Sequence, residues 1–304
     1  METRILWQSD SLWEHNCSKA THEQREQIFA GMLQEAQRVA RPDTQFVLNF
    51  PTASVGRDFV PAHRFNRAYM AVEIMERIKQ AEEDGFDAAF AGTCYGEFFL
   101  NDARQAVSIP VVGPAESSMV FAQALGGKFA VVTVTNRLVQ QMEHTIRLHG
   151  WEDRAIRNQP VRAWDADMSP LVVGALEGRP ERLIEEFEKV ALESVRDGAD
   201  VVICGCLPYG AALSQVGYNE VGNTGVPVIT ALPAMIKFAE SLVDLRRSLG
   251  ITKSEALRSP YRSTPEETLR DMEARGIRSM LPRVADRAFL EAYGASQNDT
   301  LSPS

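Results

Sequence analysis

DGFDAAFAGTCYG (residues 84–96) and DGADVVICGCLPYG (residues 197–210) read as two copies of one pattern. Each opens on Asp-Gly-X-Asp, continues in a short apolar run, and closes on a glycine and a cysteine, Cys94 in the first and Cys206 in the second. With one residue of slip beside the cysteine the copies align, and each later meets a further apolar run, IPVVG (109–113) or GVPVI (225–229). Unbroken apolar runs bounded by turn residues are the mark of strands buried on both faces. The chain therefore reads as two strand-turn units with a thiol at the same end of each. If the halves pack face to face, the two thiols flank one cleft.

Ahead of the first copy, residues 3–9 read as a strand that opens into a polar turn at Ser9, Asp10 and Ser11. Glu23 to Ala40 has a helical pattern ended by Arg41-Pro42-Asp43, and Gln45 to Asn49 is the next strand. Phe50 to Arg67 lacks a firm period and reads as a long loop, of the kind that often serves as a lid or binding segment. A helix over Tyr69–Glu83 then delivers the chain to the first cysteine strand. Helix Phe98–Ala106, strand Pro110–Gly113, helix Ser117–Leu125 and strand Phe129–Thr133 come next. Later come helix Glu181–Arg196, strand Val201–Cys204, strand Val226–Thr230 and helix Pro233–Leu249. Alternating strands and helices with continuously apolar strands predict an α/β fold of mostly parallel sheets covered on both faces. Ligands in such sheets bind beyond the carboxyl ends of the strands, where both cysteines fall.

The chain's 304 residues suffice for two compact lobes, and a formal charge of -9 with no basic run argues against a nucleic-acid groove. No signal peptide and no apolar span of about 18 residues is present, so a cytoplasmic protein without membrane association is expected. Four irregularly spaced cysteines do not make a disulfide framework. There is no G-x-x-x-x-G-K-[ST] and no G-x-G-x-x-G, so no nucleotide cofactor is implied. His15, Cys17, His22 and Glu23 lack a metal-ligand spacing, and Cys204, two residues before Cys206, reads as core filling. Neither a metal nor an organic cofactor is expected.

A thiolate is favoured where a helix N-terminus follows a cysteine, and each cysteine here precedes a helix start. One thiolate can remove a proton from a carbon beside a carbonyl while the opposite thiol delivers one to the other face. That is two-base racemisation or epimerisation of a small molecule, and Thr93 and Thr133 are candidate donors to the developing enolate. Two other readings stand beside it: one nucleophilic cysteine with the second idle, and two small buried hydrophobes with no chemistry. Tyr95 and Tyr209 follow the cysteines and are candidates to line the cleft. Arg57, Arg64 and Arg67 in or beside the long loop could meet a substrate carboxylate.

The segments 84–96, IPVVGPAES (109–117), FAVVTVT (129–135), GADVVICGC (198–206), GVPVI (225–229), AESLVDL (239–245) and TKS (252–254) together resemble the aspartate/glutamate racemase superfamily, its hydantoin racemase branch most of all. The resemblance implies two pseudo-symmetric lobes, each with a mostly parallel four-stranded sheet flanked by helices, and an active site in the cleft between them. Residues 1–118 with 228–295 would form the lobe carrying Cys94, and 119–227 the lobe carrying Cys206, leaving 296–304 as a disordered tail. Cys94 and Cys206 would be the acid/base pair. Thr133, Thr135 and Glu116 would lie by the substrate. The family's Asn-Pro-Asn turn after the first strand is replaced by Trp7-Gln8-Ser9-Asp10-Ser11, which makes Ser9 and Asp10 the candidate polar contacts. Leu207-Pro208-Tyr209 stands where smaller residues are common, so these three are expected to shape the site. The implied activity is a cofactor-independent racemase acting on a hydantoin-like cyclic ureide or amino-acid derivative. Lyase, hydrolase, desulfhydrase or decarboxylase chemistry in the same cleft, and a small-acid binding module, are the alternatives. A homo-oligomer is expected because most soluble oligomers are of that kind.

Overall fold

A computed structural model describes residues 2–10, 22–50, 64–92, 94–164 and 168–254, together with Arg270 and Ala274. In chain order the elements are β1 (Thr3–Gln8), α1 (His22–Val39), β2 (Thr44–Asn49), α2 (Arg64–Glu83), β3 (Ala88–Ala91), α3 (Leu100–Ala106), β4 (Val111–Val112) and α4 (Pro114–Leu125). The second set is β5 (Phe129–Thr133), α5 (Asn136–Leu148), β6 (Val161–Ala163), α6 (Met168–Leu176), α7 (Glu181–Arg196), β7 (Val201–Cys204), α8 (Leu207–Gln215), β8 (Val228–Thr230) and α9 (Ala231–Leu249). They build two four-stranded sheets of order β2-β1-β3-β4 and β6-β5-β7-β8, every pairing parallel. The second order is the first shifted by four, so β3 and β7, the two cysteine strands, occupy equivalent places.

The strands obey the rule for sheets covered on both faces: β3 (AAFA), β5 (FAVVT) and β7 (VVIC) are buried throughout. Period-two alternation divides the first sheet's side chains between two cores. Ile5, Trp7, Ala88 and Phe90 enter the large core shared with the second lobe, while Leu6, Ala89 and Ala91 face α2 and α3 through Met70, Ile74, Ile78 and Leu100. Helix α7 buries Leu183, Phe187, Ala191 and Ser194, one stripe at helical spacing, and leaves its charged face to solvent. Helix α4 begins at Pro114, earlier than the Ser117 expected, because proline is at home in a helix's first turn. Likewise α2 starts at Arg64, inside the stretch read as loop.

Strand β8 pairs with β7, which carries the second sheet through Thr230, past the boundary at residue 227 expected from the sequence. The other expected boundary, after residue 118, falls inside the unbroken helix α4. The chain then returns to the first lobe through α9. There the buried Glu240 accepts from the Arg41 backbone N–H and the Thr44 hydroxyl, each at 2.8 Å, while Lys237 reaches its second oxygen at 3.0 Å. Arg247 adds a bond to the Thr3 hydroxyl at 2.9 Å and an ion pair with Asp87 at 2.7 Å. Gly250, at φ +67, ends the helix in the left-handed conformation that favours glycine. No described helix is long and apolar enough to cross a membrane. The expected tail at 296–304 lies outside the described residues.

Glu240 is the acid that fastens the returning helix. Glu240→Ala leaves the Arg41 amide and the Thr44 hydroxyl without their acceptor, and equilibrium urea unfolding should show a loss of roughly 1–3 kcal/mol.

Candidate active site

In the first lobe three strand ends are wired together by Gln8. Its backbone carbonyl accepts from the Gly92 N–H at 3.0 Å, its side-chain amide donates to the Ser9 carbonyl at 2.8 Å, and its Oε1 accepts from Asn49 Nδ2 at 2.9 Å. Beyond this ladder Asp10 is buried, and its Oδ2 accepts the backbone N–H of Cys94 at 3.1 Å. That approach runs over Gly92, which has φ +84 and lies so close that a Cβ would stand 3.2 Å from the Asp10 carboxylate. A turn follows, closed by the Glu97 N–H on the Cys94 carbonyl at 3.0 Å.

The second lobe repeats the ladder. The Gly205 N–H donates to the Val132 carbonyl at 2.9 Å, the counterpart of Gly92 on Gln8. Strand register thus superimposes the two glycines, and the one-residue slip falls after them: Cys94 follows its glycine by two positions, Cys206 by one. A Cβ at position 205 would collide with Val131 and crowd Met142, so only glycine fits. Cys206 is itself the N-cap of α8, with no intervening turn, a shorter link than the glycine-bearing turn read from the sequence. The positive end of α8 favours negative charge there. Cys94 and Cys206 both keep partial exposure, whereas Cys204 is buried in β7. Burial, and then the nearby Cys206, push the Cys204 thiol well up, which fits a core residue and not a proton carrier.

Thr133 ends β5 in full burial, and its hydroxyl has no hydrogen-bond partner among the described residues. Its carbonyl accepts from the Trp164 N–H at 3.1 Å, and the Trp164 ring meets Tyr209 of α8 edge-on at 4.4 Å. A buried unpaired hydroxyl is costly, and a bound molecule that offers an acceptor would relieve it.

A family model described as Asp/Glu/Hydantoin racemase matches residues 26–241. The chain belongs to that family. The hydantoin racemase of Pseudomonas sp. (strain NS671) is 32% identical to it over 227 residues, which are 74% of this chain and 84% of that relative. The solved allantoin racemase from Pseudomonas fluorescens superposes with a TM-score of 0.64 at 26% identity, covering 86% of this chain and 98% of that one. The allantoin racemase from Klebsiella pneumoniae shares the fold at the same TM-score and 24% identity, over 86% and 95% of the two chains. The protein is therefore an enzyme, an isomerase of the racemase type.

In this racemase the residues expected at the site sort by position. Ser9, Asp10, Thr133 and Thr135 stand with the cysteines at the carboxyl edges of the two sheets, Thr135 as the N-cap of α5. Tyr95, Leu207 and Tyr209 are buried beside the cysteines, and Pro208 is half-buried. The Tyr95 hydroxyl adjoins Ser118, and burial, then the charge of Glu97, raise the phenol well above its ordinary range. Both carboxylate oxygens of Glu116 take the guanidinium of Arg104, with one bond at 2.9 Å. An ion pair inside the first lobe thus occupies the side chain expected at the substrate, and it is the Glu116 backbone N–H that reaches toward Cys94's turn, through Glu97 at 2.9 Å. Thr93, Arg57, His15 and Cys17 lie outside the described residues, as do the side chains of Arg64 and Arg67. Sequence reasoning does not reach Glu97, Thr145, His149 or Trp164. The one local hint is Glu97, a charged residue three positions after a cysteine in a buried turn.

Gly92 combines a positive φ with the close approach of Asp10. Gly92→Ala should lower stability by about 1–3 kcal/mol in chemical denaturation, and should weaken activity more than an alanine at Gly198, whose positive φ lies far along the chain in an open turn.

Proposed function

We propose that the protein racemises a carbon beside a carbonyl in a hydantoin-like cyclic ureide or a related amino-acid derivative, by proton transfer between Cys94 and Cys206. The observation that carries this reading is the in-register repetition: each lobe ends the same strand in the same glycine ladder and follows it with a partly exposed thiol. A pseudo-symmetric pair suits the chemistry, because racemisation asks for a base on one face of a planar carbanion and an acid on the other, with the roles exchanged for the opposite enantiomer.

The chemistry needs three things from the residues. The thiolate that takes the proton needs stabilisation, which the N-terminus of α8 offers Cys206 directly. The enolate oxygen formed when the C–H bond breaks needs a donor, and the Thr133 hydroxyl, buried and without a partner among the described residues, is the side chain suited to it. The thiol that returns the proton needs a fixed position, because proton transfer falls off steeply with misplacement. In the first lobe Asp10 supplies that by holding the Cys94 backbone N–H. The names of the relatives, hydantoin racemase and allantoin racemase, support a cyclic ureide as the substrate class.

Proton NMR in D₂O with single enantiomers of 5-substituted hydantoins, a thiohydantoin and free aspartate, read beside polarimetry, tests the proposal. Wild type should exchange the α-proton and lose optical rotation together. Cys94→Ser and Cys206→Ser should each lose racemisation by roughly 10²–10⁴-fold, and each should retain exchange with one enantiomer only, the one served by the remaining thiol. Racemisation at the wild-type rate in either variant sinks the two-thiol mechanism. Disappearance of the ring signals into a new product would instead assign lyase or hydrolase chemistry to the cleft.

A further inference from the structure

We infer that Glu97 and His149 are positioning residues, a carboxylate and an imidazole that reach across the junction of the lobes and hold the turn carrying Cys94 in place. The inference rests on the reading of Cys94 as one of the two proton-transfer groups. Glu97 has φ +47, in the left-handed region that costs any residue but glycine free energy and persists only where surrounding contacts over-determine it. Its N–H closes the turn on the Cys94 carbonyl at 3.0 Å, so the strained residue and the thiol's own backbone are directly bonded.

The over-determination is visible. Glu97 is buried and both carboxylate oxygens are taken, Oε1 by the Glu116 N–H in the first turn of α4 at 2.9 Å and Oε2 by His149 Nε2 at 2.5 Å. With the carboxylate ionised, the ring nitrogen is the donor. Helix polarity favours the negative group at the N-terminus of α4, and the imidazole stands as the C-cap of α5. Gly113 leaves room for the carboxylate, since a Cβ there would overlap it. One helical turn before His149, the Thr145 hydroxyl, whose nearer acceptor is the Gln141 carbonyl of its own helix at 3.0 Å, lies 3.3 Å from the Gly96 carbonyl, so α5 of the second lobe packs against two consecutive residues of the turn.

A bond that merely joined the lobes could lie anywhere along their junction. Other polar ties across it join α1 to the end of α8 remote from Cys206, through Gln215 on the Gly31 carbonyl at 2.7 Å and Arg38 on the Ser214 hydroxyl at 3.2 Å. The Glu97–His149 pair instead falls within three residues of Cys94. Through it, the position of one thiol depends on a helix of the lobe that carries the other.

The test uses the full chain with His149→Leu, His149→Gln and Glu97→Gln, and reads the iodoacetamide alkylation rates of Cys94 and Cys206 separately by peptide mass spectrometry. Thermal melting and the kcat and KM for a 5-substituted hydantoin are measured alongside. In His149→Leu, alkylation of Cys94 should rise at least about fivefold while Cys206 stays within about twofold, and kcat should fall roughly 10–100-fold with KM little changed. His149→Gln, which keeps a donor for Glu97, should recover most of both effects. Wild-type behaviour of Cys94 in His149→Leu would overturn the inference, and so would an equal change at both cysteines, which would mark a general loss of structure. If the wild type turns over no hydantoin while the change confined to Cys94 is still seen, the positioning role stands and the racemisation reading fails.

Discussion

Parallel pairing of β1 with β3, and of β5 with β7, sets a glycine N–H on the carbonyl that closes each neighbouring strand: Gly92 on Gln8 and Gly205 on Val132. Buried backbone groups need partners, so these two bonds determine where each chain segment leaves its ladder. The residues after each glycine must stand above the carboxyl edge of the sheet, and in both lobes a cysteine is among them. The single residue of slip then gives the two thiols different supports. Cys206 comes one position after its glycine and caps α8 at once, so a helix holds it. Cys94 comes two positions after, at the head of a turn with only the seven-residue α3 beyond it, so side chains must hold it. Asp10 does so from the same lobe, and Glu97 with His149 does so from across the junction.

Buried and half-buried carboxylates carry most of this organisation. An ionised acid out of water is tolerated only where hydrogen bonds or charges replace its hydration. Asp10 takes the Cys94 amide, Glu97 takes the Glu116 amide and His149, Glu116 takes both arms of Arg104, and Glu240 takes the Arg41 amide, the Thr44 hydroxyl and Lys237. Glu97 and Glu116 are consecutive members of one chain of contacts that runs from α5 through the Cys94 turn to α3. Thr133 stands apart from this network, with a buried hydroxyl that no described residue engages. A site of fixed groups with a donor left open suits catalysis by preorganised dipoles.

Much of the architecture is legible from the residues. Strands β5 and β7 coincide with the apolar runs Phe129–Thr133 and Val201–Cys204, because a strand buried on both faces must be apolar throughout. Helix α7 coincides with Glu181–Arg196, because a one-sided core leaves a stripe of period 3.6. Between residues 134 and 180 sequence reasoning assigns no element, and there lie α5, the three-residue β6 with its buried Arg162, and α6. A strand of three residues with a cation inside it carries no periodic signal. Its burial is made possible by Asp197 and the Ser194 hydroxyl, partners more than thirty positions away.

The two parallel sheets, their repetition and the place of both thiols at strand ends are properties of the amino-acid sequence, because apolar runs, glycine turns and internal repeats are written in neighbouring residues. The choice of acids that serve the site belongs to the packing in three dimensions. Asp10 meets Cys94 across 84 positions and Glu97 meets His149 across 52, while Glu116, expected at the substrate, is claimed by Arg104. A carboxylate takes whichever donor the packed helices and strands bring within about 3 Å, and no local pattern records that choice.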